Sequence, residues 1–589
     1  MLYRSGRPNV RTYGVRMSRR SQHTQQRLQQ QVKSSISCRE GHDSIILEGV
    51  VDNWAQVICA GKLAAHKGYK GVVNRLAVEG LTLPPPRSPK LKDTALDGLH
   101  VDVLIVGGGV IGCAIARELT RKHISVVLVE KEDDLATHAS SRNNGMIHPG
   151  IEPHPGTRRA YFNVRGNAMY DTVAVELAVP FTRCGSLILY QERWERFLGP
   201  LFMTRARQNG VPGVHLINRN EALALEPHLM REFSAALHMP STGIVSPYLL
   251  TVAYAENAVH NGARVSLETM VADMKVREGR ITAVRTNRGT LFPRVVVNAA
   301  GCYADVVADM AGDQFFTIHP RKGEIIILDR KKGYLISHVV AKPRLLQVES
   351  DTKGGGVNRT IDGNILVGPN AVEQPFREDY STDRDHIELM LRRYLPLVPE
   401  LSPADIITYF AGTRPATYEE DFIVERSQYV RNLVHAAGIQ SPGLASAPAI
   451  AEEVARLTVS ALGEVIKVED NPTFDGHRQG IPEPERMTWE ERDVLIHRRP
   501  DYGVIVCRCE GISKGQVVDA LRSPIPVTSV DAVKRRVRVG MGRCQGGFCT
   551  PQVLRIIGEQ NGEQLAAITK KGGDSFILAT ETKSVRRVS

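Results

Sequence analysis

A short apolar run, Val101-Asp-Val-Leu-Ile-Val106, passes directly into Gly107-Gly-Gly-Val-Ile-Gly112 and then into a helical pattern over Cys113–Lys122. No other feature restricts the fold so tightly. A buried strand must turn sharply into a helix, and three glycines each have their own reason to lack a side chain. Gly107 permits the tight turn, Gly109 lets a pyrophosphate approach the backbone, and Gly112 lets helix and strand pack closely. The N–H groups and partial positive charge of the helix start favour phosphate. A second strand, Ser125–Val129, ends in Glu130. An acid there accepts hydrogen bonds from ribose hydroxyls and would repel a 2′-phosphate. The expected unit binds a dinucleotide, with FAD and NAD both open on this segment alone.

Four cysteines near the C-terminus add a second constraint. Cys507-Arg-Cys509 and Cys544-Gln-Gly-Gly-Phe-Cys549 form a C-x-C and a C-x4-C pair. Four thiolates are the usual ligand set of a [2Fe–2S] cluster, which carries one electron at a time. Zinc is the rival, but structural zinc sites use wider knuckles than C-x-C provides. A two-electron site and a one-electron relay in one chain describe an electron-transferring dehydrogenase. The other five cysteines, Cys38, Cys59, Cys113, Cys184 and Cys302, are scattered and expected to be buried or inert. The odd total fits no disulfide framework and points to a reducing compartment.

The net charge of +11 could suggest nucleic-acid binding, but its location argues otherwise. Residues 1–39 hold nine Lys and Arg and no acid, which leaves +2 for the rest of the chain. The excess belongs to a tail and not to a basic groove. A tail rich in Arg, Ser and Gln fits an organellar, mitochondrial-type transit peptide, and a plain basic extension of a cytoplasmic protein is the alternative. No stretch of eighteen apolar residues occurs, so any membrane contact would be peripheral or through a partner.

The expected order is a basic tail (1–40), a small βαβ unit (41–83), a proline-rich linker (84–100), an α/β body (101–465), a second linker (466–502), a cysteine-bearing helical domain (503–560) and a C-terminal tail (561–589). In the small unit, strands over Ser44–Val51 and Val72–Val78 flank a helix over Trp54–His66. In the body, apolar runs alternate with helical patterns, which implies a parallel sheet and an inserted region.

Beyond the glycine loop, Ala139-Ser-Ser-Arg-Asn-Asn-Gly-Met-Ile-His-Pro-Gly-Ile151 resembles the flavin-contacting stretch of the D-amino-acid oxidase superfamily. Within it, the glycerol-3-phosphate dehydrogenase and L-2-hydroxyglutarate dehydrogenase branches are the most similar. Further matching segments are Pro240–Pro247, Val297–Asp305, His319–Glu324, Gly363–Asn370, Ala411–Pro415 and Ala437–Leu444. The resemblance covers about 100–465 and implies a Rossmann-type FAD domain with an inserted α+β substrate domain. It implies FAD contacts at Gly107, Gly109, Gly112, Glu130, Ser141, Arg142, Asn143, Gly145, Val271, Ala300, Gly301, Gly412, Gly438, Ser441, Pro442, Gly443 and Leu444. A helix starting near Ser446 and aimed at the flavin would stabilise the reduced anion.

The same resemblance implies oxidation of a small anionic hydroxy compound by hydride transfer to the flavin. Arg414, in Gly-Thr-Arg-Pro, matches the family position for the substrate's phosphate or carboxylate, and its fork suits either. His148 is the first choice for proton acceptor or substrate donor, against a structural role before Pro149. Lys322 and Lys353 could add positive charge, or could be surface residues. The cysteine segment, with Cys507, Cys509, Cys544 and Cys549 as ligands, resembles the [2Fe–2S] domain of bacterioferritin-associated ferredoxin, found at the C-terminus of some glycerol-3-phosphate dehydrogenase subunits. Its basic residues Arg508, Lys514, Lys534, Arg535, Arg536, Arg538 and Arg543 suggest either a solvated face or docking to an acidic electron carrier. The unit at 41–83 resembles BON-type modules, which implies partner or surface binding; a stabilising appendage is the alternative. The expected activity is oxidation of glycerol 3-phosphate, with electrons leaving through FAD and the cluster to a carrier or quinone-linked partner. L-2-Hydroxyglutarate oxidation and a non-catalytic electron-transfer or assembly subunit are the alternatives.

Overall fold

The computed structural model describes residues 18–32, 35–65, 68–343 and 355–580. Its nucleotide sheet grows from the strand read first in the sequence. Leu99–Val106 lies between Val126–Val129 and Gly289–Asn298, all parallel, with Arg264–Ser266 beyond on one side. Leu433–Ala437 pairs in parallel with the end of Gly289–Asn298. Near-continuous apolar runs are what a sheet covered on both faces requires. The helices Val110–Leu119, Pro247–His260 and Gly443–Leu462 pack together and bury one large apolar cluster with these strands.

The inserted region forms a nine-stranded mixed sheet. Its long pair, His319–Leu328 and Ile406–Ala416, runs antiparallel and brings Arg321 opposite Arg414, Lys322 opposite Thr413 and Gly323 opposite Gly412. This register brings Arg321, Gly412, Thr413 and Arg414 to one wall of a cleft.

The N-terminal unit is larger than the expected βαβ. The helix Arg19–Val32 and the strand Ile36–Glu40 belong to it, so residues from 19 onward are not a free tail. Leu28 and Val32 are buried with Ile36, Ile45, Val57 and Val72, and this apolar core offsets the ordering cost of the basic segment. The strand order is Ile36–Glu40, Ser44–Val51, Gly71–Val78, antiparallel then parallel, with the helix Trp54–Ala64 as the crossover. The expected tail positions 1–17 lie outside the described residues. Cys59, expected to be buried or inert, is exposed on that crossover helix.

The unit docks on the body through Tyr418. A Cβ on Gly61 would collide with the Tyr418 ring, and Asn74 donates to the Tyr418 hydroxyl at 3.0 Å. Glu419 accepts the Val72 N–H at 2.8 Å, and Lys70 pairs with Glu425 at 2.7 Å.

Residues 466–502 are a packed strap and not a free linker. Phe474 lies under the Arg121 guanidinium at 4.4 Å, Arg478 pairs with Glu256 at 2.5 Å, and Trp489–Arg498 is helical. The cysteine domain holds the helices Lys514–Leu521, Val530–Val537 and Thr550–Asn561. It extends past 560, because Ile568 is buried in its core and Thr569 bridges to Ser529 and Phe576.

Four of the seven basic residues of this domain, Arg535, Arg536, Arg538 and Arg543, are held by acids of this chain, whereas Arg508 is exposed. Arg535 and Arg536 both bind Asp134, at 2.8 and 3.0 Å. Arg538 binds Asp362 at 2.7 Å and Glu510 at 3.0 Å, and Arg543 binds Asp329 at 2.8 Å. These pairs dock the domain on the nucleotide loop through Asp134 and on the inserted sheet region through Asp362 and Asp329. Asp134 is fully buried; burial pushes its pKa up, but Arg536 and Arg535 outweigh that and hold it below the ordinary carboxylate range.

Asp134→Ala should cost about 3–5 kcal/mol, because it strands Arg536 as a buried unpaired charge. Denaturant unfolding of the holoprotein measures this, and wild-type stability would remove the pair as the anchor. At the other dock, burial raises the Glu419 carboxyl to about 7. A raised folded-state pKa favours folding in acid and loses that contribution as pH climbs through it. The protection of Gly71–Val78 amides, corrected for intrinsic base-catalysed exchange, should therefore fall as pH rises from about 4.5 to about 7, and Glu419→Gln should flatten that fall.

Candidate active site and cluster site

A cleft of about 860 Å³ opens between the nucleotide sheet and the nine-stranded sheet. It is within the size range of ordinary cofactor and substrate sites. At its base the glycine loop leaves no room for side chains. Gly107 has φ +114°, and a Cβ there would lie 2.5 Å from the Ala299 carbonyl oxygen. At Gly112 it would lie 2.0 Å from the Gly107 oxygen, and at Gly412 it would lie 2.4 Å from Arg142 Cβ. Glu130 accepts the Gly108 N–H at 2.7 Å and the Glu132 N–H at 3.0 Å, which leaves lone pairs for ribose hydroxyls.

Of the residues read from the sequence, Gly109, Arg142, Asn143, Gly301, Gly412, Gly438, Ser441, Pro442, Gly443, Leu444, His148 and Arg414 border the cleft. Gly443 and Leu444 open the helix Gly443–Leu462, three residues before the expected start, so the helix N-terminus faces the cleft. Gly107, Gly112 and Glu130 shape the loop from behind. Ser141, Gly145 and Ala300 do not border the cleft; their neighbours Ser140, Asn144, Met146 and Ala299 do. Val271 begins a strand opposite Thr286, away from the cleft. Lys322 is corrected as a substrate cation, because its ammonium is held by Asp379 at 3.0 Å and by Ser381. Lys353 lies outside the described residues.

Two arginines face each other at the substrate end. Arg321 is saturated: Glu373, Glu420 and Gln440 accept from it at 2.8, 2.6 and 3.1 Å. Arg414 is not. Its Nη2 donates to the Asn370 carbonyl at 2.9 Å, while its buried Nη1 has no partner among the described residues. Burial, and then the neighbouring Arg321, push the Arg414 pKa down to about 10. A desolvated cation with an unused donor is a site for an anion. His148 lines the same space, and its carbonyl accepts from Asn163 at 2.8 Å and Asn167 at 2.9 Å, which fixes its loop.

The four C-terminal cysteines pair two by two. The Cys549 thiol donates to Cys507, and this, with the Gly540 and Glu510 N–H groups, pulls the Cys507 pKa down to about 6 despite burial. The Phe548 N–H, the Cys509 thiol and the Gly546 N–H hold Cys544 below the ordinary thiol value. N–H groups aimed at sulfur favour thiolates. A tetrahedral zinc, with Zn–S near 2.3 Å, would bring all four sulfurs to about 3.8 Å of one another. No three of these sulfurs lie within 4.8 Å of one another; among the described residues Glu132, His138 and Glu378 do come together that closely, and Lys131 already neutralises that group. Two close sulfur pairs set apart suit two irons.

Residues 102–457 match the FAD dependent oxidoreductase family, and residues 505–559 match the BFD-like [2Fe-2S] binding domain. The chain belongs to the FAD dependent oxidoreductases. It is 37% identical over 486 residues to glycerol 3-phosphate dehydrogenase of Caloramator mitchellensis, covering 82% of this chain and 99% of that protein. It is 30% identical to mitochondrial L-2-hydroxyglutarate dehydrogenase of Nematostella vectensis, over 58% of this chain and 74% of that one. L-alpha-Glycerophosphate oxidase of Mycoplasma pneumoniae, solved with FAD bound, superposes with a TM-score of 0.59 at 29% identity, covering 64% of this chain and 98% of the oxidase.

In this FAD dependent oxidoreductase the glycine cradle, Glu130 and the helix start at Gly443 fit the dinucleotide. The thiolate pairs fit the [2Fe–2S] cluster. Sequence reasoning missed Ser140, whose hydroxyl accepts the Val110 N–H at 2.9 Å beside the helix start. It also missed Arg321 and Lys62 of the N-terminal unit, both on the cleft wall. Ser140 and Arg321 stood inside the quoted motifs; Lys62 had no signal, because only docking brings it there.

Oxidoreductase purified without air should carry about two irons and two acid-labile sulfides per chain, with zinc well below one equivalent. Metal and sulfide analysis checks this. Cys544→Ser should lower the iron and leave the flavin spectrum intact.

Proposed function

We propose that this oxidoreductase is a glycerol 3-phosphate dehydrogenase. It takes a hydride from C2 of the substrate and a proton from the C2 hydroxyl, giving dihydroxyacetone phosphate. A cluster held by Cys507, Cys509, Cys544 and Cys549 would pass the two electrons on singly to a carrier or quinone-linked acceptor. The observation that carries the reading is the unused Nη1 of buried Arg414, in a chain 37% identical to a glycerol 3-phosphate dehydrogenase along nearly that protein's whole length. The matching oxidases from Mycoplasma pneumoniae and Mycoplasma genitalium align over only 365 and 383 residues, close to the extent of the FAD region alone. A chain that adds a one-electron relay suits a dehydrogenase better than direct delivery to oxygen.

Bound FAD supplies the two-electron acceptor. Arg414 would hold the phosphate through its unused Nη1, while Arg321, fixed by Glu373, Glu420 and Gln440, stands opposite it across the strand pair. The strands hold both side chains in register, so the anion is oriented before reaction. His148, in a loop pinned by Asn163 and Asn167, accepts the hydroxyl proton. L-2-Hydroxyglutarate is supported less, by relatives at 25–30% identity.

Adding glycerol 3-phosphate anaerobically should bleach the flavin, and L-2-hydroxyglutarate should do so far more slowly. Reversed preference would transfer the reading to the hydroxy acid, and no bleaching by either would favour a non-catalytic subunit. Arg414→Met should raise KM for glycerol 3-phosphate by about ten- to a hundredfold while FAD stays bound; unchanged kinetics would remove it from the pocket.

A further inference from the structure

A seam of contacts runs from the cleft to the cysteines through Gly145, Val245, Tyr248 and Met541. Asn144 and Met146 line the cleft, with Gly145 between them. The Gly145 carbonyl accepts the Val245 N–H at 3.0 Å, and a Cβ on Gly145 would lie 2.4 Å from the Val245 oxygen. Three residues on, Tyr248 stands in the first turn of the helix Pro247–His260. Its hydroxyl donates to Met541 Sδ at 3.4 Å and accepts from Arg538 Nη1 at 2.9 Å. Met541 lies between two glycines that touch the cysteine ligands. Gly540 gives its N–H to Cys507, and a Cβ on Gly542 would lie 2.4 Å from Cys509 Cβ. Arg538 clamps the seam from both sides, through Asp362 and Asn364 on the body and Glu510 beside Cys509.

We propose that Tyr248 and Met541 are the positioning residues of an electron bridge from the flavin cleft to the cluster. The proposal rests on the dehydrogenase reading and gives it a route. Electron transfer weakens steeply across empty gaps, so a continuous chain of bonded and packed atoms is the favoured path. With both groups bound, the reduced flavin would supply two electrons and the cluster would accept them one at a time, so the seam held by Tyr248 and Met541 would be crossed twice per substrate. An external one-electron acceptor would take up each electron, and the proton released from the flavin would pass to solvent.

The test mixes holoprotein and glycerol 3-phosphate anaerobically with no external acceptor. Absorbance follows flavin bleaching, and freeze-quench electron paramagnetic resonance follows cluster reduction. Tyr248→Phe removes only the hydroxyl; Met541→Ala opens a gap between ring and glycines. Both should keep wild-type bleaching rates, FAD and iron content, and hydrogen-exchange protection of Val530–Val537. Cluster reduction should slow about threefold in Tyr248→Phe and about tenfold or more in Met541→Ala, as expected for loosened positioning. Unchanged cluster reduction in both overturns the proposal. Loss of iron or of helix protection in either also counts against it, since the contact would then be structural. If wild-type flavin fails to bleach with glycerol 3-phosphate, the substrate reading fails, and photoreduction of the flavin runs the same comparison. The two failures are therefore distinguishable.

Discussion

Asp134 sits where three parts of the molecule meet. The segment from Glu130 to Ala136 is stitched to the glycine loop at both ends: Glu130 accepts the Gly108 N–H, and the Ala136 N–H reaches the Gly108 carbonyl at 3.1 Å. Between these stitches Asp134 holds Arg535 and Arg536 of the cysteine domain. The loop that shapes the nucleotide cradle is thus also the dock for the cluster. A buried carboxylate with two guanidiniums is costly to assemble and costlier to break on one side. It therefore works better as a device for fixing one relative placement than as a net source of stability. Fixed placement is what an internal relay needs.

The paired strands His319–Leu328 and Ile406–Ala416 pose a different electrostatic problem. They set two arginines opposite each other, where like charges repel. The chain resolves this asymmetrically. Arg321 receives two carboxylates and an amide oxygen, whereas Arg414 receives one backbone carbonyl and keeps an unused donor. The missing counter-charge is what a substrate phosphate can supply. Had Glu373 or Glu420 reached Arg414 instead, the cleft would hold a satisfied ion pair and little affinity for an anion. The same logic removes Lys322, one residue along the strand and on its other face, since Asp379 already pairs with it.

What could be read from the chain follows from how local each determinant is. The strand, the three glycines, Glu130 and the cysteine spacings are local, and the structure keeps each element within a few residues of its expected bounds. Gly443 and Leu444 were legible for the same reason, as a glycine-bearing turn before a helix. The misplaced features depended on distant packing. Arg19–Val32 looks like a tail because its charge dominates the sequence, yet Leu28 and Val32 find an apolar core only once Ile36–Glu40 pairs with Ser44–Val51. The arginines over 535–543 look like an external docking face because their acids, Asp134, Asp329 and Asp362, lie 176 to 402 residues away in sequence. Arg321 went unremarked because its importance lies in the register with Arg414.

The two appended units press on different walls of the body. The N-terminal unit packs on Tyr418, Glu419 and Glu425 and contributes Lys62 to the cleft wall. It bears on the shape of that wall, because Lys62 lies 3.9 Å from Glu373, the carboxylate that also holds Arg321. The cysteine domain packs on the Asp134 loop and on Tyr248, beneath residues that neighbour the cofactor end of the cleft. It bears on the departure of electrons. A single cleft with electrons leaving at one wall needs no large motion between reduction and reoxidation. The extensive ion pairing that would resist such motion is then consistent with the chemistry, and a mobile cluster domain would require Asp134, Asp329 and Asp362 to be stripped of their partners on every turnover.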